Sequence, residues 1–224
     1  MLIQQIQRAT CLTLDKRIDW ATSVIPAAAK YGIDVELFIA GDGTNPDISY
    51  NHIDLNELPP LYPQSLNYPS WTTKPFAYNA WQCHTKIIRQ AQQDGIGNLL
   101  MLEDDIFFEE DFIEILDKIE DFFNSNAWDM IYFGWYSSGH LKETDNEHVY
   151  RMMGGGGFHA VLLSRYMIEC LSDVPPLGPY DFITGVFFHQ NINAYAIYPS
   201  IISQRNGFSN VEQGTLDKPD RYKK

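Results

Sequence analysis

Short continuous apolar runs alternate with longer stretches of helical period along this chain. ATCLTL (Ala9 to Leu14) is a β-prone run, and Ile18 to Tyr31 reads as a helix that Pro26 is expected to kink. DVELFIAGDG supplies a second strand, Val35 to Ala40, stopped by the Gly41-Asp42-Gly43 turn. Residues 44–75 are rich in proline and carry little periodicity, and a loop of that length in a compact domain is often functional. From Phe76 the helical period returns. Phe76, Ala80, Trp81, His84, Ile87, Ile88 and Ala91 share a face, and Asp94-Gly95 ends the helix.

NLLMLEDD then has the unbroken apolar character of a strand buried on both faces. A second amphipathic helix is predicted over Glu109 to Asn124, with Phe112, Leu116, Ile119 and Phe123 as its stripe. MIYFG (Met130 to Gly134) reads as another buried strand, and VYRMMGGGGFHAVLLS as two strands around four glycines. A short helix over Arg165 to Leu171, a Pro/Gly loop (Val174 to Pro179), a helix beginning near Tyr180, the strand AYAIYP and a polar tail from about residue 206 complete the chain. This alternation predicts a single α/β domain over residues 1–224, a three-layer α/β/α sandwich around a mainly parallel sheet with antiparallel additions late in the chain.

Composition narrows the class. With 45% hydrophobic and 14% aromatic residues, the chain buries enough apolar surface to offset ordering, which excludes intrinsic disorder. A net charge of −13 argues against nucleic acid as a partner, because phosphate binding needs a basic surface. Cys11, Cys83 and Cys170 are scattered, without metal-finger spacing, and read as reduced thiols. No secretory leader and no stretch of ~20 apolar residues is visible, so a cytoplasmic location is expected. The end of the chain, with Lys218, Arg221, Lys223 and Lys224, reads as a solvated tail; weak contact with a membrane surface is the lesser reading.

The acidic surplus is local. Between Glu103 and Asp121 lie ten acidic residues and one lysine, −9 of the −13. Most of them decorate one helix. Glu103, Asp104 and Asp105 differ because they leave the carboxyl end of a buried strand, where open α/β sheets place ligands. Several carboxylates buried together need protons or a cation, and hard oxygens there suit Mg²⁺ or Mn²⁺ shared with water and a diphosphate. A polar turn in which Asp104 or Asp105 merely caps the next helix accounts for the same residues equally well.

Motif order carries further weight. LLMLEDDIFF resembles the "ILEDDxxF" signature of glycosyltransferase family 25, the group of lipooligosaccharide and procollagen galactosyltransferases. In the same order, CLTLDKRIDW resembles its opening "VINLDRRxDR", ELFIAGDG its "xxxAxDG", AWQCHTKIIRQA its "CxLSHxxxW" and WDMIYFG its "wDiiyLG". FHAVLLSRYMIECL, PYDFITGVFF and YAIYPSIISQRNGFSNVE resemble its later segments, so the likeness spans about residues 9 to 212. The chain departs where the family's second opening arginine falls at Trp20, and where its cysteine and serine fall at Ala80 and Cys83.

The resemblance implies a GT-A fold and an inverting, metal-assisted transfer of a hexose, usually galactose, from a UDP-sugar to a glycan or other hydroxyl acceptor. It places Leu14, Arg17, Ala40, Asp42, Glu103 and Asp104 near the nucleotide sugar. Asp104 and Asp105 become the expected metal carboxylates, and His189, or else His159, a candidate ligand beside them. Asp181 matches the aspartate of the family's "pvDxfl" segment and becomes the expected general base, with helix capping as its alternative. His84, on the apolar face of its helix, is expected to be a hydrogen-bonded core residue.

Gly154 to Gly157 permit close backbone approach, and Trp135 and Tyr136 are candidates for stacking on an acceptor sugar or for packing. Gln204 and Ser209 match family positions in a segment expected to close over the donor. Two other classes fit parts of the pattern: a metal-dependent phosphotransferase or hydrolase, and a non-catalytic glycan-binding relative.

Overall fold

The first apolar run forms β1 (Arg8–Leu14), and a single 3-10 turn (Asp15–Arg17) leads into helix α1 (Ile18–Ala29) and strand β2 (Val35–Ala40). These come from a computed structural model, which describes residues 2–41, 75–136, 141–175, 179–209 and 214–216. Helix α1 continues through Pro26, which cannot donate to the ladder. Asp42 and nearly all of the proline-rich stretch lie outside the described residues, as does the basic end of the chain.

Helix α2 (Pro75–Gln93), strand β3 (Asn98–Glu103), strand β4 (Ile106–Phe108) and helix α3 (Phe112–Ser125) follow. Next come β5 (Met130–Tyr136), β6 (Leu141–Glu143), β7 (Val149–Met152), β8 (Gly156–Ser164) and α4 (Arg165–Ser172). The short α5 (Tyr180–Ile183) runs into a π-helical turn, Thr184–Phe188, and β9 (Ala194–Ile197) and β10 (Ile202–Gln204) follow. Part of the expected tail is ordered as a two-stranded ladder of β11 (Gly207–Ser209) and β12 (Gly214–Leu216).

Eight strands form the central sheet in the order β2-β1-β3-β8-β5-β9-β7-β6. Strand β1 is parallel to both β2 and β3, and β5 is parallel to β9. Strand β8 enters the middle of the sheet antiparallel to β3 and β5, an insertion that the local sequence pattern did not predict.

The continuous apolar run of β3 is explained by cover on both faces. Leu100 and Leu102, with Ile131, Phe133 and Leu162, pack against Ala21 and Val24 of α1 and the Phe112, Ile115, Ile119 stripe of α3. Leu99 and Met101, with Met130, Tyr132 and Val161, pack against Ile87 and Ile88 of α2 and Met167 and Ile168 of α4. Each such side chain contributes about 1.5–3 kcal/mol on burial. The result is a three-layer α/β/α sandwich in which six of the eight sheet strands run the same way.

Helix α3 begins three residues later than its acidic start predicted. The Glu109 amide donates to the Ile201 carbonyl at 3.0 Å, and the Glu109 carboxylate accepts from the Ser203 hydroxyl. These residues are drawn into the antiparallel pairing of β4 with β10, leaving Asp111 at the helix N-cap position without a side-chain capping bond. The late segment 201–204 therefore lies directly across the acidic turn that follows β3.

Candidate active site

Parallel register brings the carboxyl ends of three strands together. Leu14 is opposite Ala40, and Leu12 opposite Glu103. Because β8 is antiparallel, its beginning, Gly156 to His159, reaches this same edge, with Leu102 opposite Ala160. Leu14, Arg17, Ala40, Glu103, Asp104 and Asp105 are thus at one edge.

Asp104 is the buried member of the acidic turn, 5% exposed. Its Oδ2 accepts from the Thr13 hydroxyl at 2.7 Å, and Arg17 Nη2 lies 2.7 Å from its Oδ1. Burial raises its pKa above the usual carboxylate value; the Thr13 hydrogen bond, the Arg17 charge and the Leu14 amide act against that rise. Burial, with the charge of the same acidic turn added to it, pushes the Cys11 thiol up to about 12 and leaves it protonated.

Both Asp104 oxygens are therefore engaged within the protein. Asp104 anchors Arg17. The guanidinium also lies 4.5 Å from the centroid of the Trp20 ring, a stacking that the departure at this position makes possible. Arg17 Nε is buried without a hydrogen-bond partner among the described residues, and Nη2 meets Asp104 closely but at a poor angle. Donors held in this way suit an oxyanion.

Glu103 and Asp105 are gathered from the other side. The Gln204 amide donates to Glu103 Oε2 at 3.0 Å and to Asp105 Oδ1 at 3.1 Å. The Arg205 amide donates to the Asp105 carbonyl at 2.6 Å, and the Arg205 guanidinium to the Ser23 hydroxyl at 3.0 Å. Carboxylate oxygens are the hard ligands that Mg²⁺ or Mn²⁺ takes, one or two of them together with water and phosphate, and the point on which these two converge is held by the Gln204 amide nitrogen. Among the described residues no three His, Cys, Asp or Glu side chains cluster to hold a metal ion by themselves.

His189 is not part of that pair. It is fully buried, and its Nε2 pairs with the Tyr132 hydroxyl at 2.8 Å, in a knot where Tyr132 also donates to Thr184 at 3.2 Å. Burial lowers its pKa to about 4, so it stays neutral near pH 7. His84 is likewise buried, with Nδ1 2.9 Å from the Ala80 carbonyl and its ring against Phe158 and Tyr180, and its pKa falls to about 4. His159 is buried against Gly134, where a Cβ would stand 2.2 Å from its Nε2.

Asp181 is half-buried near the start of α5, and its Oδ1 accepts from the Phe182 amide at 2.8 Å. The N-cap position of α5 is Pro179, so Asp181 does not occupy it. The segment that carries it is seated on the glycine turn: a Cβ on Gly185 would stand 2.2 Å from the Gly155 carbonyl. Gly155 and Gly157 have φ of 96° and 111°, which side chains beyond glycine rarely adopt. Trp135 is 3% exposed with Nε1 bonded to the Ile197 carbonyl, so it packs the core and offers no face to an acceptor.

Thr13 was missed at the sequence level, since a threonine inside a strand carries no signal of its contact. Gln204, in the segment expected to close over the donor, is bonded to two carboxylates of the acidic turn.

No family model and no curated protein matches the chain, so the likeness to glycosyltransferase family 25 rests on the motifs alone. Among solved structures, the crystal structure of A197 from STIV is similar over 97% of both chains, with 13% identity and a TM-score of 0.43. A glycosyltransferase involved in the glycosylation of the major capsid of PBCV-1 matches over 92% of this chain and 96% of its own, with 13% identity and a TM-score of 0.44. Mannose-1-phosphate geranyltransferase from Thermus thermophilus matches over 88% of this chain and 74% of its own, with 9% identity and a TM-score of 0.35. Likenesses of this size assign no activity, which has to be argued from the site.

Proposed function

We propose that the chain is a metal-dependent glycosyltransferase that moves a hexose, galactose on the motif resemblance, from a UDP-sugar to a hydroxyl of a glycan or other acceptor, with inversion. One observation carries the reading: at the carboxyl edge of the parallel strands, the Glu103, Asp104 and Asp105 carboxylates stand in sequence beside Arg17, whose guanidinium lies 2.7 Å from Asp104 and 3.9 Å from Asp105. Such an edge suits a nucleoside diphosphate, with its phosphates toward Arg17 and its base and ribose toward Leu14 and Ala40.

Glu103 and Asp105 would hold Mn²⁺ or Mg²⁺, which supplies charge neutralisation to the diphosphate when bound. Arg17 adds a fixed positive charge on the same side. Asp181 takes the acceptor hydroxyl proton as the acceptor oxygen bonds to the anomeric carbon. The bond from that carbon to the diphosphate oxygen breaks, and the electron pair leaves with UDP. The half-buried setting of Asp181, on a segment seated against the glycine turn that leads into β8, supports this division of labour.

Thermal melting with a panel of nucleoside diphosphates tests the reading. UDP at 100 times its Kd should stabilise the chain by about 2.7 kcal/mol with Mn²⁺ and far less without it. No shift with any nucleoside diphosphate would overturn it. A donor-hydrolysis screen then identifies the sugar.

A further inference from the structure

Helix α2 runs back along the β1–β2 flank of the sheet. Near its start the Asn79 amide donates to the Gly41 carbonyl at 3.1 Å, just past β2, and beyond its end Asp94 meets Arg8 Nη2, at the start of β1, at 2.7 Å. Between helix and strands lies a cleft of about 500 Å³, within the ~300–1,000 Å³ of small-molecule sites. It belongs to the early residues of β1 and β2. Thr10, which lines it, stands about 13 Å of strand before Leu14 at the carboxyl edge.

We infer that this cleft is a second binding site, apart from the carboxyl edge, and that its ligand is a neutral saccharide. The charges decide the class. Arg8 is taken up between Asp94 and Glu36, the latter 3.4 Å from its Nε, and Arg89 Nε donates to the Ser172 carbonyl at 2.7 Å. Both arginines are engaged, and Glu36 on the wall repels an anion. Lys86 on the facing wall repels a cation.

The groups left over are mixed donors and acceptors. Lys86 and Gln93 have no polar partner among the described residues, and the bonds from Thr10, at 2.9 Å, and from Arg8 both fall on Glu36 Oε1, not on Oε2. A hydroxyl donates and accepts, so a row of hydroxyls pairs with ammonium, amide and carboxylate alike. Buried Ile87 and half-buried Phe38 supply an apolar surface for the C–H face of a sugar ring. The walls are fixed before a ligand arrives, since Thr10 holds Glu36 and the Gln90 amide donates to Asp94 at 2.9 Å, so binding orders few side chains. None of this requires the transfer chemistry proposed above.

The test is an amide NMR titration of the full chain with lactose, maltose and methyl β-galactoside, and with inorganic phosphate as the anion. A neutral sugar should give saturable shifts at residues 36–38 and 86–93. Gln93→Ala and Lys86→Ala, at exposed helix positions where alanine is well tolerated, should each weaken that binding about 2- to 10-fold. Asp181→Asn should leave it unchanged.

No saturable shift in the cleft with any of the three sugars overturns the inference. Sugar shifts confined to the carboxyl edge also overturn it and leave the transferase reading standing. Saturation by phosphate and by no sugar overturns the neutral class, and unchanged affinity in both alanine variants overturns the site.

Discussion

At Asp104 the fold buries a carboxylate and surrounds it with a hydroxyl, a backbone amide and a guanidinium; at His84 and His189 it buries two imidazoles among aromatic rings. Both regions remove an ionisable group from water, and they differ in what is supplied in return. Asp104 meets Arg17 and Thr13, and with its neighbours it gathers charge at the strand ends. The imidazoles meet neutral hydroxyls or carbonyls, and burial drives their pKa values down to about 4. A buried charge that has been compensated marks a place built for ions. A buried group allowed to discharge marks a place built for packing.

The largest effect expected is on turnover. Asp181→Asn keeps an oxygen to accept from the Phe182 amide and loses the base, so kcat should fall about 10²- to 10⁴-fold with little change in melting temperature. Near-wild-type turnover would move Asp181 to the packing side of the comparison. Next comes Arg17→Met, which strands the Asp104 carboxylate. A loss of about 3–5 kcal/mol in urea unfolding is expected, and Asp104→Leu in the same chain should recover much of it. Additive losses in the double variant would show that the pair is not coupled.

The histidines are expected to act through pH. An imidazole whose folded pKa lies near 4, against an ordinary value of about 6.5, protonates more readily in the unfolded chain. Stability is then fully present above pH ~6.5 and is lost as pH falls toward 4, by up to about 3 kcal/mol for each histidine. His84→Gln should flatten this acid limb in urea melts, and an unaltered limb would show that His84 is not held neutral by burial. The smallest effect is expected at Ser164, whose hydroxyl accepts from the Met167 amide at 3.4 Å and caps α4. Ser164→Ala should cost about 1 kcal/mol and leave transfer and Mn²⁺ binding unchanged, a baseline for stability loss without chemistry.

Much of this frame was legible along the chain. The acidic turn was placed at a buried strand end because an unbroken apolar run such as NLLMLE has few other homes. His84 read as a core residue because it shares a helical face with Trp81, Ile87 and Ile88, and the structure buries it there. The start of α3 was misjudged because acidic residues favour a helix N-terminus locally, while Glu109 is claimed by Ile201 and Ser203 from far downstream. The place of β8 between β3 and β5 was not legible for a related reason. A strand covered on both faces has the same pattern whichever way it runs.

Local composition and periodicity thus determined the longer helices and the buried strands, though not the short strands β4, β6 and β10, and that three carboxylates stand together where a buried strand ends. Tertiary structure alone decided that these carboxylates are not equivalent. Thr13 reaches Asp104 across 91 residues, and Gln204 reaches Glu103 and Asp105 across 101 and 99. Hydrogen bonds of that span leave no periodic trace in a sequence, because they depend on how the strands are ordered in the sheet and not on the neighbours of each residue.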